Sequence, residues 1–206
     1  MTNNKTQIIM QIGYITMISS FKQQGLDNST AIGVTKAAIE VFEVGAAFTA
    51  VQHREGIDVT FKDGRKIQIS NQEYFMVEEH CGFQSLNEAD MLSLKDADYA
   101  QLCVAIICKS KEVVEGYDSF KEALDDINNG ASLFDGAKHL GVAHYCVSVP
   151  NQLLNQKTGN VGASAKQTVF VSNSYFDEIE QPTKTGILSQ WSRFATKLYN
   201  LDKLVG

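Results

Sequence analysis

Proline is scarce in this 206-residue sequence, which contains only Pro150 and Pro182. Because proline breaks helices and stiffens linkers, its absence elsewhere favours helices and leaves no proline-rich linker between domains. Net positive charge is also missing, since the formal net charge is -6 at pH 7. Nucleic acids and anionic membranes attract basic surfaces, so this composition argues against a general affinity for either one.

Several motifs that carry cofactor or metal chemistry are absent. The sequence contains no phosphate-binding loop, dinucleotide fingerprint, HExxH helix, EF-hand loop or nucleophile elbow. Its four cysteines form no Cys-x-x-Cys pair, and we expect free thiols in a reducing compartment. The residues whose side chains are suitable zinc ligands are His80, Cys81, His144 and Cys146. Only His144 and Cys146 are predicted to share a strand face. We therefore predict no cofactor and no metal.

The N-terminal stretch from residue 6 to residue 20 is uncharged and rich in Ile and Met. A membrane-spanning helix needs about 20 apolar residues, and this stretch is shorter and contains several polar side chains. No small-x-small cleavage site follows it, so the pattern differs from a signal peptide. We expect an amphipathic helix, buried in the domain or in a dimer. The predicted location is the cytoplasm, or export without a cleaved signal peptide.

Hydrophobic periodicity predicts a second helix from Thr30 to about Gln52, so that residues 1–52 form an N-terminal helical pair. Alternating apolar residues from 57 to 61 and from 67 to 69 flank Asp63-Gly64 and predict a β-hairpin. Ser-x-x-Glu or Ser-x-x-Asp capping boxes at Ser70, Ser93 and Ser119 predict three helices, and a short fourth helix follows over about 132–139.

The remainder of the chain predicts two more strands and one last helix. The strands cover 142–149 and 167–173, and a polar loop over 151–166 separates them. Ile187, Trp191, Phe194, Leu198 and Leu201 follow helical spacing. We therefore predict one α+β domain over residues 1–206, with a small, mostly antiparallel sheet of two strand pairs packed against about six to seven helices. A doubly wound sheet would require regular alternation of strands and helices.

One constellation of residues suggests catalysis. The order of Cys81, His144 and Asn173 along the chain resembles that of papain-like folds, which place a nucleophilic Cys at a helix start, a His on a later strand and an Asn or Asp on the next strand. That resemblance implies Cys81 as nucleophile, His144 as base and Asn173 as the residue that orients it, with Asp177 as a substitute for Asn173. Cys81, however, follows a predicted helix, where the helix dipole would raise its pKa.

The sequence leaves three functions open. We expect a non-catalytic protein-interaction protein, such as a bacterial effector or an accessory protein, because no complete catalytic motif is present. The alternative is a papain-like thiol hydrolase or transferase that uses Cys81. A small-ligand sensor with a pocket between sheet and helices is a third option without residue-level support. The expected partner is a protein, and the oligomeric state is not predicted.

Overall fold

A computed structural model of the protein describes residues 20–23, 29–81, 83–85, 91–129, 133–149, 159–163, 168–172, 175–178, 181–184 and 194–198. Of the helical pair predicted over residues 1–52, the first helix lies outside the described residues except for residues 20–23, and there the prediction is wrong because Phe21–Gln23 form a strand. The described part of the chain combines α-helices with small antiparallel sheets, which confirms the α+β class. It contains five α-helices, fewer than the six to seven predicted. None of these helices is long and apolar enough to cross a membrane.

The helices are α1 (Ser29–Phe42), α2 (Asn71–Cys81), α3 (Met91–Glu115), α4 (Phe120–Asn128) and α5 (Leu133–His139). The strands are β1 (Phe21–Gln23), β2 (Phe48–His53), β3 (Gly56–Phe61), β4 (Lys66–Ser70), β5 (Phe83–Ser85), β6 (Cys146–Ser148), β7 (Asn160–Ala163), β8 (Thr168–Ser172), β9 (Tyr175–Glu178), β10 (Gln181–Lys184) and β11 (Phe194–Leu198). They form a β1–β5 pair, a three-stranded sheet in the order β2-β3-β4 and a six-stranded sheet in the order β10-β9-β8-β7-β11-β6.

The second predicted helix is about ten residues too long. Helix α1 ends at Phe42, where Glu43 and then Gly45 adopt positive φ angles of 67° and 84°. A left-handed residue after the last turn is a common way to stop a helix. Residues 48–53 instead form strand β2, which pairs with β3 from Phe48 to His53. The predicted hairpin therefore supplies two strands of a three-stranded sheet, and β2 is the third.

The local signals of the hairpin and of two helix starts are confirmed. Strands β3 and β4 pair antiparallel around a turn in which the Gly64 amide donates to the Phe61 carbonyl at 3.0 Å. At the start of α2, the Ser70 amide donates to Glu73 at 2.7 Å and the Glu73 amide donates to the Ser70 hydroxyl at 3.2 Å. This reciprocal exchange satisfies donors that the first helical turn leaves unpaired. At the start of α4, the Ser119 hydroxyl accepts from the Glu122 amide at 3.3 Å, and the Glu122 carboxylate accepts from the Asp118 amide at 3.2 Å.

The capping box predicted at Ser93 is wrong, because α3 begins at Met91, two residues before Ser93. This helix runs through the centre of the hydrophobic core, and all its residues from Cys103 to Cys108 are buried. It packs against β4 and against α1, α2, α4 and α5. The core therefore forms around α3, as its almost uniformly apolar middle turns predict.

The C-terminal predictions require more correction. Ala143–Tyr145 is a turn of 3-10 helix, so only Cys146–Ser148 remains of the strand predicted over 142–149. Strand β7 lies within the predicted loop, whereas β8 confirms the strand predicted over 167–173. Residues 194–198 form strand β11 between β6 and β7 rather than a helix. Pairing with strands more than thirty residues earlier in the chain overrides the local helical period here.

Candidate functional site

Cys81, the predicted nucleophile, is the last residue of α2 and is completely buried. Its Sγ lies 4.0 Å from Oδ1 of Asn128 on α4, and the thiol of Cys108 on α3 is a close neighbour. The C-terminal end of a helix carries partial negative charge, which disfavours a thiolate at that position. This environment is typical of a cysteine that packs as a small apolar residue.

His144, the predicted base, is exposed in the 3-10 turn and does not lie on a strand as predicted. Its ring centroid is 3.9 Å from that of Tyr145, and Asp63 in the β3–β4 turn is a further neighbour. Asn173 lies outside the described residues. Cys81 and His144 therefore have different described neighbours, and the assignment of catalytic roles to Cys81, His144 and Asn173 stays a prediction.

Asp177, the predicted substitute for Asn173, forms an ion pair with Lys36 of α1. Only 1% of the Lys36 side chain is exposed, and its Nζ lies 4.8 Å from the centroid of the Phe21 ring. Burial lowers the pKa of Lys36, while the Asp177 carboxylate opposes this change. The Asp177 carboxylate and the face of the Phe21 ring both stabilise the ammonium group in this environment.

Glu40 lies one helical turn after Lys36 and faces the same sheet. Its carboxylate accepts hydrogen bonds from the Ser172 hydroxyl on β8 and from the backbone amide of Gly159, just before β7. Burial raises the pKa of Glu40 to about 6, although both hydrogen bonds oppose the rise. Together with the Asp177 contact on β9, these hydrogen bonds join α1 to β8, to β9 and to the residue before β7.

The sequence reasoning did not identify Lys36 and Glu40. They are the only charged residues of α1, in a segment whose other members are apolar or small and polar. Their spacing of four places both on one face of the helix. Two isolated charges on a predominantly buried helix were the available signal, because buried charges require partners.

A second buried polar network joins α3 to α5. Ser110 Oγ lies 3.3 Å from Nδ1 of His139, and Nε2 of His139 lies 2.9 Å from Oε1 of Glu115. Burial lowers the pKa of His139, whereas Glu115 opposes that change. A serine, a histidine and a carboxylate in contact in this order also occur in catalytic triads, but a catalytic serine must be accessible to its substrate. Ser110 is completely buried, so the network is suited to holding the two helices together.

Glu115 also borders an open cavity of about 350 Å³, which is lined by Glu115, Gly116, Tyr117, Asp118 and Glu122. Hydrogen bonds from Lys111, His139 and Lys138 lower the pKa of Glu115 to about 2, although burial opposes this change. In the part of the chain that the structure describes, no group of three or more His, Cys, Asp or Glu residues is arranged to hold a metal ion. The cavity is thus acidic, and its Glu115 is already paired with cations.

The outer edge of β2 is an accessible feature of the three-stranded sheet. Within the described residues β2 is an outer strand of its sheet, and Thr49, Ala50, Val51 and Gln52 are all exposed. Val51 is 58% exposed on the side of the sheet that carries Asp58. An accessible edge strand presents backbone amides and carbonyls to other chains.

Comparison with known proteins does not assign this arrangement to a family. No protein-family model matches the chain, and no curated protein or solved structure was found to be significantly similar to it.

Proposed function

We propose that this chain is a non-catalytic protein-interaction protein, which binds an extended protein segment along the outer edge of β2. The observation that supports the proposal is the run of four exposed residues from Thr49 to Gln52 at the edge of the three-stranded sheet. Extended peptides bind to such edges by adding a strand, and the backbone hydrogen bonds supply much of the affinity.

The hairpin register identifies the groups that would bind. Arg54 and Glu55 form a two-residue turn, and His53 pairs with Gly56. In such a hairpin the closing pair exchanges hydrogen bonds, and bonded pairs then alternate with unbonded ones along the strands. Thr49 and Val51 therefore direct their amides and carbonyls towards β3, while those of Ala50 and Gln52 point to the outer edge. These two residues supply two donors and two acceptors.

The chemistry of the strand favours a protein partner. Phe48–His53 contains no Asp, Glu, Lys or Arg, and the chain as a whole carries a formal net charge of -6. A nucleic acid would require basic side chains at its contact surface.

All four cysteines are free, which supports the cytoplasm as the place of action, with export without a cleaved signal peptide as the second possibility. The narrower roles of bacterial effector and accessory protein stay predictions.

Binding at this edge can be tested with peptides selected from a random-peptide phage library on the wild-type protein. A selected peptide should slow hydrogen exchange at the amides of Ala50 and Gln52. The amides of Thr49 and Val51, which already bond to β3, are the internal control. The variant Ala50→Pro removes one outward donor at a position where an edge strand tolerates proline, and it should lose the peptide. Failure to enrich any peptide, or protection confined to another surface, would contradict the proposal.

A further inference from the structure

We infer that the segment bound at this edge belongs to a second copy of the chain, whose own β2 pairs antiparallel with the first about Val51. The inference rests on the proposed function, because it names the occupant of the same edge. Antiparallel pairing centred on Val51 sets Ala50 opposite the partner's Gln52, and Gln52 opposite the partner's Ala50. Because all four of these residues direct their backbone groups outward, each donor meets an acceptor around a two-fold axis.

The position of Val51 supports this centre of symmetry. Val51 pairs with Asp58 across β2 and β3, so it shares the polar face of the sheet with Asp58 and Thr60. This apolar side chain is 58% exposed, so more than half of its surface is in contact with water. In the paired arrangement Val51 lies directly opposite the partner's Val51, in an unbonded pair where side chains approach most closely. The pairing therefore buries the one apolar residue of this face against its own copy.

The electrostatics and composition of the strand also favour self-pairing. Two chains with a formal net charge of -6 repel each other, and an uncharged contact surface adds no close pairs of like charges. Phe48–His53 carries no acidic or basic side chain apart from His53. Edge strands that avoid pairing commonly carry lysine, proline or a bulge. None of these protections occurs in β2, which pairs with β3 in unbroken register over all six of its residues.

Opposite charges introduced at Val51 in two separate variants test both the identity of the partner and the register of the pairing. Sedimentation velocity of the wild-type protein should show a dimer that dissociates on dilution. Val51→Lys should be monomeric, since two like charges would then face each other, while the Lys can still pair with Asp58 inside its own chain. Val51→Glu should also be monomeric. An equimolar mixture of the two variants should regain a dimer, which native mass spectrometry should identify as a one-to-one heterodimer.

The matched control is Val113→Lys on α3, which makes the same change at a valine that is 63% exposed, and it should leave the dimer intact. Circular dichroism establishes that each variant is folded, and Val51→Lys with its control decides the result if Val51→Glu does not fold. A dimer that persists in Val51→Lys, or a mixture without heterodimer, would overturn the inference. A wild-type monomer at all concentrations would also overturn it, whereas the peptide experiment judges the proposed function independently.

Discussion

The ammonium group of Lys36 on α1 is paired with the carboxylate of Asp177 on β9, and 141 residues separate the two in sequence. Lys36 is 1% exposed and Asp177 is 19% exposed, so the pair is largely removed from water. Desolvation of two charges is compensated only when both partners are present. This contact therefore makes the docking of α1 on the six-stranded sheet sensitive to the loss of either residue.

Removing one member of this pair should destabilise the fold strongly. Asp177→Ala leaves the Lys36 ammonium buried without this carboxylate, and breaking a buried pair in this way typically costs about 3–5 kcal/mol. Urea denaturation followed by circular dichroism measures the change in the free energy of unfolding. The double variant Lys36→Met/Asp177→Ala should recover much of the loss, because the buried ammonium group that the carboxylate compensated is then absent as well. Purely additive effects of the two substitutions would contradict this account.

The exposed pair of Lys121 and Asp125 on α4 is the matched control. These residues form an ion pair at 2.6 Å, but their side chains are 59% and 48% exposed. Exposed pairs of this kind contribute up to about 1 kcal/mol. Asp125→Ala should therefore change the free energy of unfolding far less than Asp177→Ala does.

Glu40 should make the stability depend on pH in a mildly acidic window. Its pKa is raised from an ordinary 4.5 to about 6, so the folded chain holds more protons than the unfolded chain between these two values. The free energy of unfolding should then fall as the pH rises from 4.5 through 6, by on the order of 2 kcal/mol from this residue. Urea denaturation at a series of pH values measures the profile.

The variant Glu40→Gln should remove that component of the profile. A glutamine amide can still accept from the Gly159 amide and can donate to the Ser172 hydroxyl, so its neutral side chain fits the same contacts. Glu79→Gln, at an exposed position on α2, is the matched control. Equal slopes for the wild-type protein and Glu40→Gln between pH 4.5 and 6 would show that Glu40 does not titrate as described.

The thiols should react slowly with iodoacetamide in the folded protein. Burial raises the pKa of Cys146 to about 12 and raises those of Cys103 and Cys108 well above their usual range. Alkylation requires the thiolate, so little reaction is expected near neutral pH. Mass spectrometry of digested samples should show Cys146, the only partly buried cysteine, modified first, and Cys81, Cys103 and Cys108 modified only after unfolding.

The same measurement discriminates between the proposed function and the thiol hydrolase. Selective and rapid alkylation of Cys81 near pH 6, lost in His144→Ala, would indicate a thiolate stabilised by an imidazolium. That result would support the papain-like alternative and contradict a non-catalytic role. Protection of Cys81 that His144→Ala leaves unchanged is the outcome that we expect from its buried position at the end of α2.

The capping box of α2 should contribute measurably to stability. Ser70→Ala removes the acceptor of the Glu73 amide and should cost about 1 kcal/mol in the free energy of unfolding. Gln72→Ala, at an exposed position in the same helical turn, is the control and should change it by less than about 0.5 kcal/mol. Thermal melting and urea denaturation would reveal the difference, and equal effects of both substitutions would argue against the capping role.

The sequence by itself determined the features whose hydrogen bonds close within a few residues. The turn around Gly64 and the caps at Ser70 and Ser119 formed as predicted, because their donors and acceptors lie three or four residues apart. The uniformly apolar middle of α3 likewise predicted its place in the core. The residue types of Cys81, His144 and Asn173 suggested a catalytic role, but type and order carry no information about distances in space.

Only the tertiary structure decided the secondary structure of segments 48–53 and 194–198. It also decided which groups pair with Lys36 and Glu40. Residues 48–53 were compatible with helical spacing, yet pairing with β3 made them the outer strand β2. Residues 194–198 became a strand because β6 and β7 flank them on both sides. The ammonium group of the buried Lys36 pairs with Asp177, which reaches it from β9. In each instance, contacts between residues distant in sequence outweighed the local preference of the backbone.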